Sequence, residues 1–276
     1  MTIVQTFITA PMSVYRLKQN VIIAALSLAY AHKSGYKVKM YTDTVGYSLL
    51  SKLPYDDINT ELDGIELPKS NALWSIGKYY ALLKEPLGTI HTDFDVLLKK
   101  PCLNGLLAGV DAVCQIKERI EGIQSIYEHC RQFLISESCG DLVNVSKPIK
   151  YTYNVGVIGY STEAMRQAHA GTIKKVYERF KNYKGSMPTI DFYIEQAHLY
   201  HLSKKGFKVK PVVSDATLFV TDYRMITEFA DAVGYCHLQS EIKYNPIVMK
   251  KVISLLETEF KDIYNLVADI VNITKI

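Results

Sequence analysis

The chain lacks any CxxC pair or regular cysteine framework, and its five cysteines (Cys102, Cys114, Cys130, Cys139 and Cys236) are odd in number. A disulfide-stapled secreted scaffold is therefore excluded, and reduced thiols in a cytoplasmic protein are expected. No apolar stretch approaches the roughly 18 residues that a membrane span needs. Val21 to Tyr30 is apolar but short, and it follows a strand pattern and Lys18, unlike a secretory leader. Gly/Ser-rich linkers, internal repeats and low-complexity tracts are missing as well. Charge of one sign is not massed anywhere. The net charge is +4 with a pI near 8.6, and Lys and Arg are spread along the chain, so a nucleic-acid partner is not indicated. A mild positive balance suits an anionic small substrate and is equally ordinary for a solvated surface.

What the chain does have is apolar material, 48% of 276 residues, enough to bury a sizeable core. The run Ile3 to Ile8 predicts a buried first strand, and the recurrence of apolar residues from Asn20 to His32 predicts a helix that Ser34-Gly35 stops. Lys37 to Tyr41 alternates as a second strand, with a short helix near Tyr47 to Lys52 and an extended Gly64 to Leu67 after it. Helical spacing from Trp74 to Leu83 ends at Pro86, and Gly88 to His91 returns as a strand. Beyond Pro101 come a strand at Ala112 to Ile116, a helix at Gln124 to Ile135 and a strand at Tyr153 to Gly159. Helices near Thr162 to Tyr183 and Thr189 to Lys204, a strand at Lys208 to Val213 and an irregular segment to Gln239 follow. Pro246 to Ile273 is an amphipathic helix or helix pair. Packing across the domain is the commoner fate of such a helix, with peripheral contact to a membrane surface as the alternative. Sheets built from βαβα units bind ligands at the carboxyl ends of their strands.

At one such end stands Asp93-Phe94-Asp95. Two carboxylates one residue apart can share a hard divalent cation, Mn2+ or Mg2+, whose remaining shell is filled by water and substrate phosphate. About one such triplet is expected by chance in a chain of this composition, so its position at a strand exit is what gives it weight.

Four segments in order give the chain a resemblance to the GT-A glycosyltransferases, including the glycogenin-like and galactosyltransferase-like enzymes. Ile3-Val4-Gln5-Thr6-Phe7 looks like the opening strand, whose end contacts the nucleotide. Trp74-Ser75-Ile76-Gly77-Lys78, then Ile90-His91-Thr92-Asp93-Phe94-Asp95-Val96, resembles the helix before the metal strand and its DxD motif. Tyr153-Asn154-Val155-Gly156-Val157-Ile158 resembles the Asn-x-Gly strand that lines the sugar site. Tyr235-Cys236-His237-Leu238 with Lys243 resembles the late His-x(5)-Lys element. The likeness spans about residues 1 to 245. It departs from the glycogenin-like pattern in lacking an Asp-Gln-Asp triplet on the later helix, which offers Asp191 and Glu195-Gln196 instead.

The resemblance implies an α/β GT-A-like single domain over 1–245, with a mixed, mostly parallel central sheet flanked by helices. Residues 1–100 would be its nucleotide-binding half, 101–245 its acceptor half, and 246–276 a C-terminal helical appendage. It implies a metal-dependent glycosyltransferase acting on a UDP- or GDP-sugar and an acceptor hydroxyl, with retention of configuration slightly favoured. Asp93, Asp95 and His237 would hold the metal, with Asp93 also contacting the donor. Gln5, Thr6, Phe7, Trp74, Lys78, Asn154, Gly156 and Lys243 would line the donor. Asp191 or Glu195, spaced i to i+4, would act on the acceptor hydroxyl or on an oxocarbenium-like state.

Each assignment has a plainer alternative. These are a capped turn for the acids, a satisfied loop histidine for His237, a surface lysine for Lys78, core packing for Trp74, a bulge for Gly156 and a solvated helix face for Asp191 and Glu195. Asp93-Phe94-Asp95 also resembles the opening motif of haloacid-dehalogenase phosphohydrolases, although about ninety residues precede it and no Gly-Asp-x(3)-Asp or Asp-Asp follows downstream. A non-catalytic carbohydrate-binding module on the same fold is the third reading.

Overall fold

The computed structural model describes residues 1–10, 12–68, 73–145, 148–213, 226 and 228–271. Strand β1 (Thr2–Phe7) leads to helix α1 (Val14–Lys33), which starts at Ser13, whose side chain accepts from the Arg16 amide. The helix is longer than its periodicity predicts, and every residue from Gln19 to Ala31 is buried. Gly35 then adopts φ +81°, a left-handed turn that a side chain disfavours. Strand β2 (Lys37–Thr42), helix α2 (Thr44–Leu50) and strand β3 (Asp57–Asn59) follow. The third strand forms here rather than at Gly64 to Leu67, which has no strand pairing.

Next come α3 (Ile76–Lys84), β4 (Ile90–Thr92), β5 (Val96–Leu98), β6 (Ala112–Arg119), α4 (Gln124–Ser136) and β7 (Tyr151–Tyr160). Helices α5 (Glu163–Arg166) and α6 (Thr172–Phe180) are joined through a π-helical turn at Gln167–Gly171, and a second π-helical turn, Phe192–Ala197, runs into α7 (His198–Lys204). Strand β8 (Val209–Val213), helix α8 (Glu228–Val233), strand β9 (Tyr235–His237), a 3-10 turn (Ser240–Tyr244) and helices α9 (Pro246–Glu259) and α10 (Lys261–Val271) complete the order. The segment expected to be irregular up to Gln239 thus carries α8 and β9, while its residues 214–225 and 227 lie outside the described residues, as do 272 and 273 of the predicted C-terminal helices. Those helices are a pair, broken at Phe260.

The strands are ordered β3-β2-β1-β4-β7-β6-β8, a mixed, mostly parallel sheet flanked by helices. Parallel β1–β2–β3 and parallel β6–β8 contrast with antiparallel β6–β7. Contacts divide the described residues into two compact units, one drawn from Met1–Asp63, Thr92–Asn104 and Thr217–Ile276, the other from Gly64–His91 and Gly105–Ala216.

In the first unit, Ile3, Val4 and Phe7 of β1, Ile22 and Leu26 of α1, Val38 and Met40 of β2, and Val252 and Leu256 of α9 are sealed from solvent. Each such side chain stabilises the fold by roughly 1.5–3 kcal/mol. The second unit has its own core, in which Tyr79, Val155, Ile158, Ile173, Val176, Phe180 and Ile194 meet. All five cysteines are free and four are buried. Among the described residues no helix is long and apolar enough to cross a membrane.

Candidate functional site

Strand β4 is only three residues long, so the chain leaves it at Thr92 and turns at once, with the Val96 amide bonded to the Asp93 carbonyl. That turn holds Asp93, Phe94 and Asp95. Strand β5 then pairs antiparallel with β9, in a register that sets Val96 opposite His237, and the Leu238 amide donates to the Asp95 carbonyl. Two short strands far apart in sequence therefore bring the imidazole to the acids. His237 Nε2 is 3.1 Å from Asp95 Oδ1 and 3.9 Å from Asp93 Oδ2.

Those distances bear on whether one ion fits. Donors at about 2.1 Å from a common ion stand about 3 Å apart when adjacent and about 4.2 Å apart when opposite. The observed pair of distances falls within that range, and one donor atom from each of the three residues lies within 4.8 Å of the others. Two carboxylates with one imidazole form an oxygen-rich donor set with one borderline nitrogen, which fits a divalent cation.

After β9 the 3-10 turn brings Lys243 back over the loop. Its Nζ donates to Asp95 Oδ2 at 2.7 Å and lies 5.1 Å from the Phe94 ring centre and 5.6 Å from that of Tyr244. Burial by itself would raise the Asp95 carboxyl, but the Lys243 ammonium and the His237 imidazole outweigh it and hold the group below the usual carboxylate range. Lys243 is raised in return: burial disfavours its charge and Asp95 restores it.

From β1, Phe7 sets its ring edge-on against Phe94 at 5.1 Å. Gln5 is sealed from solvent, donating to Ser27 Oγ at 2.8 Å, while that hydroxyl donates to the Val96 carbonyl. Gln5 thus braces the acid-bearing loop from below. Thr6, between them, is partly exposed. Asp43, which caps α2 through the Gly46 amide, also accepts from the amide and hydroxyl of Thr9 and so fixes the loop after β1.

The remaining predicted residues lie in the second unit. Trp74 is 43% exposed, so the core-packing expectation for it does not hold. Lys78, expected at the surface or beside the acids, is 3% exposed; its Nζ donates to the Val155 carbonyl at 3.0 Å and sits 3.2 Å from Glu195 Oε1. Asp191 accepts from the Ser75 amide at 3.1 Å and from the Ser75 hydroxyl at 2.9 Å. Asp191 and Glu195 therefore reach adjacent positions at the start of α3, and both are buried rather than on a solvated face.

Burial, followed by the nearby Glu195 carboxylate, pushes the Asp191 carboxyl well above its ordinary value. Asn154 donates to Glu118 Oε1 at 3.1 Å and accepts from the Gly156 amide at 3.0 Å. Four residue steps on β7, from Asn154 to Ile158, oppose two on β6, from Ile116 to Cys114, so the strand bulges there. The expected simple alternation of Asn154 and Gly156 on one face gives way to this local turn.

Sequence reasoning missed a buried network beside Glu195. Tyr160 Oη is 2.7 Å from His169 Nδ1, His169 Nε2 is 2.8 Å from the Glu195 carbonyl, and His198 stacks on His169 with ring centres 5.8 Å apart. The two π-helical turns shape this contact, since widened turns free and reorient backbone carbonyls. No residue motif announces them.

The sheet order, with the acid-bearing loop at the end of β4 and the acid–imidazole cluster, defines a GT-A glycosyltransferase-like fold. The chain is similar to the crystal structure of the galactosyltransferase LgtC in complex with donor and acceptor sugar analogs, with a TM-score of 0.50 and 12% identity, covering 98% of this chain and 96% of that one. A structure of an active-site mutant of LgtC gives 0.46 and 13%, covering 94% and 96%. No curated protein sequence matches the chain. Residues 1–270 match the model of a family of unknown function (DUF6734), and the chain belongs to that family.

Proposed function

We propose that this protein is a metal-dependent glycosyltransferase that moves a sugar from a nucleotide-sugar, UDP- or GDP-linked, to an acceptor hydroxyl. The observation that carries the reading is the cluster of Asp93, Asp95 and His237, with Lys243 against it, on a fold shared with a transferase that binds donor and acceptor sugars. Asp93, Asp95 and His237 would hold Mn2+, or Mg2+ in its place, and such a cation would supply positive charge against the diphosphate leaving group.

Lys243 adds a second positive charge that the diphosphate can draw from Asp95. Phe94, backed by the buried Phe7 and Gln5, gives an apolar floor, with Thr6 and Asp93 toward the nucleoside. Trp74, Asn154 and Gly156 serve the sugar. Glu195, set 3.2 Å from Lys78, stabilises positive charge growing at the anomeric carbon, while Asp191 positions the start of α3 through Ser75. A carboxylate that is already paired and shielded fits that task better than taking up the acceptor proton, which together with the His237–Lys243 element favours retention. The unbridged thiols accord with a cytoplasmic location.

Thermal shift against a panel of UDP- and GDP-sugars, with and without Mn2+, followed by Mn2+-dependent hydrolysis of the hit, tests the proposal. An active transferase slowly cleaves its donor, and a binding module on the same fold does not. Asp95→Ala is expected to abolish the Mn2+-dependent shift; a full shift in that variant defeats the metal assignment.

A further inference from the structure

Within the second unit a cavity of about 500 Å³ is walled by Asn144, Lys150, Tyr151, Tyr200, His201 and Lys204, none of which the transfer reading uses. The volume suits a small organic ligand of sugar size. Tyr151 opens β7 and Tyr200 lies on α7. Their ring centres are 6.3 Å apart with planes inclined by 37°, and Tyr153 adds a third ring 6.0 Å from Tyr200.

Positive charge is gathered over these rings. Lys117 Nζ stands 4.7 Å from the Tyr151 ring centre and 6.0 Å from that of Tyr200, and Lys204 Nζ is 5.3 Å from Tyr200. Arg119, also near Tyr151, is paired with Glu121. Lys117, Lys150 and Lys204 have no carboxylate within ion-pair distance among the described residues. Glu118, the acid beside Lys117, is engaged by Asn154.

Three exposed ammoniums around one recess repel one another weakly, and a bound anion relieves that repulsion while gaining from the local field. The tyrosine faces offer broad, stiff apolar contact. The back of the recess is fixed, because the sealed Tyr193 hydroxyl bonds the Asn144 carbonyl at 2.9 Å and approaches His201 Nε2 at 3.4 Å. Walls inclined by 37° do not form the parallel slot that a flat nucleobase needs, but they accept the puckered face of a sugar ring.

We propose that this recess binds a saccharide bearing a phosphate or carboxylate, with its ring against Tyr151 and Tyr200 and its anionic group among Lys117, Lys150 and Lys204. The site stands independently of the transfer reading.

Isothermal titration of the full chain in EDTA keeps metal-dependent donor binding out of the measurement. The probes are glucose 6-phosphate, glucuronate, glucose, inorganic phosphate and UMP. Glucose 6-phosphate or glucuronate is expected to bind, with the stronger of the two naming the anionic group, and glucose and inorganic phosphate to bind at least about tenfold more weakly. The surface variant Lys117→Gln/Lys204→Gln is expected to weaken the anionic sugar about tenfold or more. Tyr200→Leu, which keeps apolar volume, is expected to weaken it about fivefold without changing inorganic phosphate. Equal binding of glucose, tighter binding of UMP, no binding of either anionic sugar, or unchanged affinity in both variants would each overturn the proposal.

Discussion

Lys243 and Asp95 are held 2.7 Å apart with side chains 15% and 5% exposed, so either charge left alone has little water to turn to. Asp95→Asn is therefore expected to lower stability by roughly 3–5 kcal/mol, and Lys243→Met added to it to restore much of the loss, because an apolar pair is better tolerated than half an ion pair. Urea unfolding of the two single variants and the double variant reads the coupling; additivity within error would remove the pair from the account. Glu195 has a different kind of test. Glu195→Gln retains shape but removes the carboxylate facing the buried Lys78 ammonium. It is therefore expected to lower the urea midpoint as well as to reduce donor cleavage by about 10²–10³ in kcat, with KM little changed in the fraction that stays folded. A rise in KM alone would place Glu195 in substrate binding instead.

At the scale of elements, one close approach is decisive. A Cβ on Gly159 of β7 would lie 2.9 Å from Ile90 Cγ1 and 3.1 Å from the Thr89 carbonyl, and backbone cannot yield as a side-chain tip can. Gly159→Ala is expected to destabilise by about 1–3 kcal/mol, measured as a drop in urea midpoint, and a neutral result would mean that β4 and β7 separate easily. Elements with strong periodicity were legible in the sequence: α1 from its apolar spacing, β1 and β2 from apolar runs and alternation, and the break after α1 from Ser34-Gly35. Strands β5 and β9 were not. Each has three residues, and such segments exist because they pair with each other, which no local pattern encodes. The π-helical turns escaped for the same reason, since their widening answers the packing of His169 on the Glu195 carbonyl.

At the scale of the whole molecule, pH acts through the buried histidines. Burial, reinforced for His169 by the neighbouring His198, lowers His169 to about 3, and burial lowers His198 to about 4. Both lie below the roughly 6.5 of an unfolded histidine, so on acidification the unfolded chain takes up protons first. Their contribution is present above pH 6.5 and is lost as pH falls from there toward the folded values. By pH 5 the loss approaches about 2 kcal/mol for each histidine. Burial also lowers His91 and His201, so urea midpoints from pH 7 to 5 are expected to fall and His169→Gln to remove only part of the slope; an undiminished slope in that variant would assign it wholly to other groups. The grouping of Asp93, Asp95 and His237 as a candidate metal site was legible because their spacing is short or motif-like. The deep placement of Lys78, Asp191 and Glu195 was not, because a charged residue becomes buried only when distant partners satisfy it.

The sole indole of the chain, at Trp74, is 43% solvent-exposed one residue before Ser75, where Asp191 anchors the start of α3. The protein therefore carries its own optical probe. Its emission is expected to be red-shifted and open to acrylamide quenching, so a ligand covering this position can be followed by fluorescence without labelling any thiol.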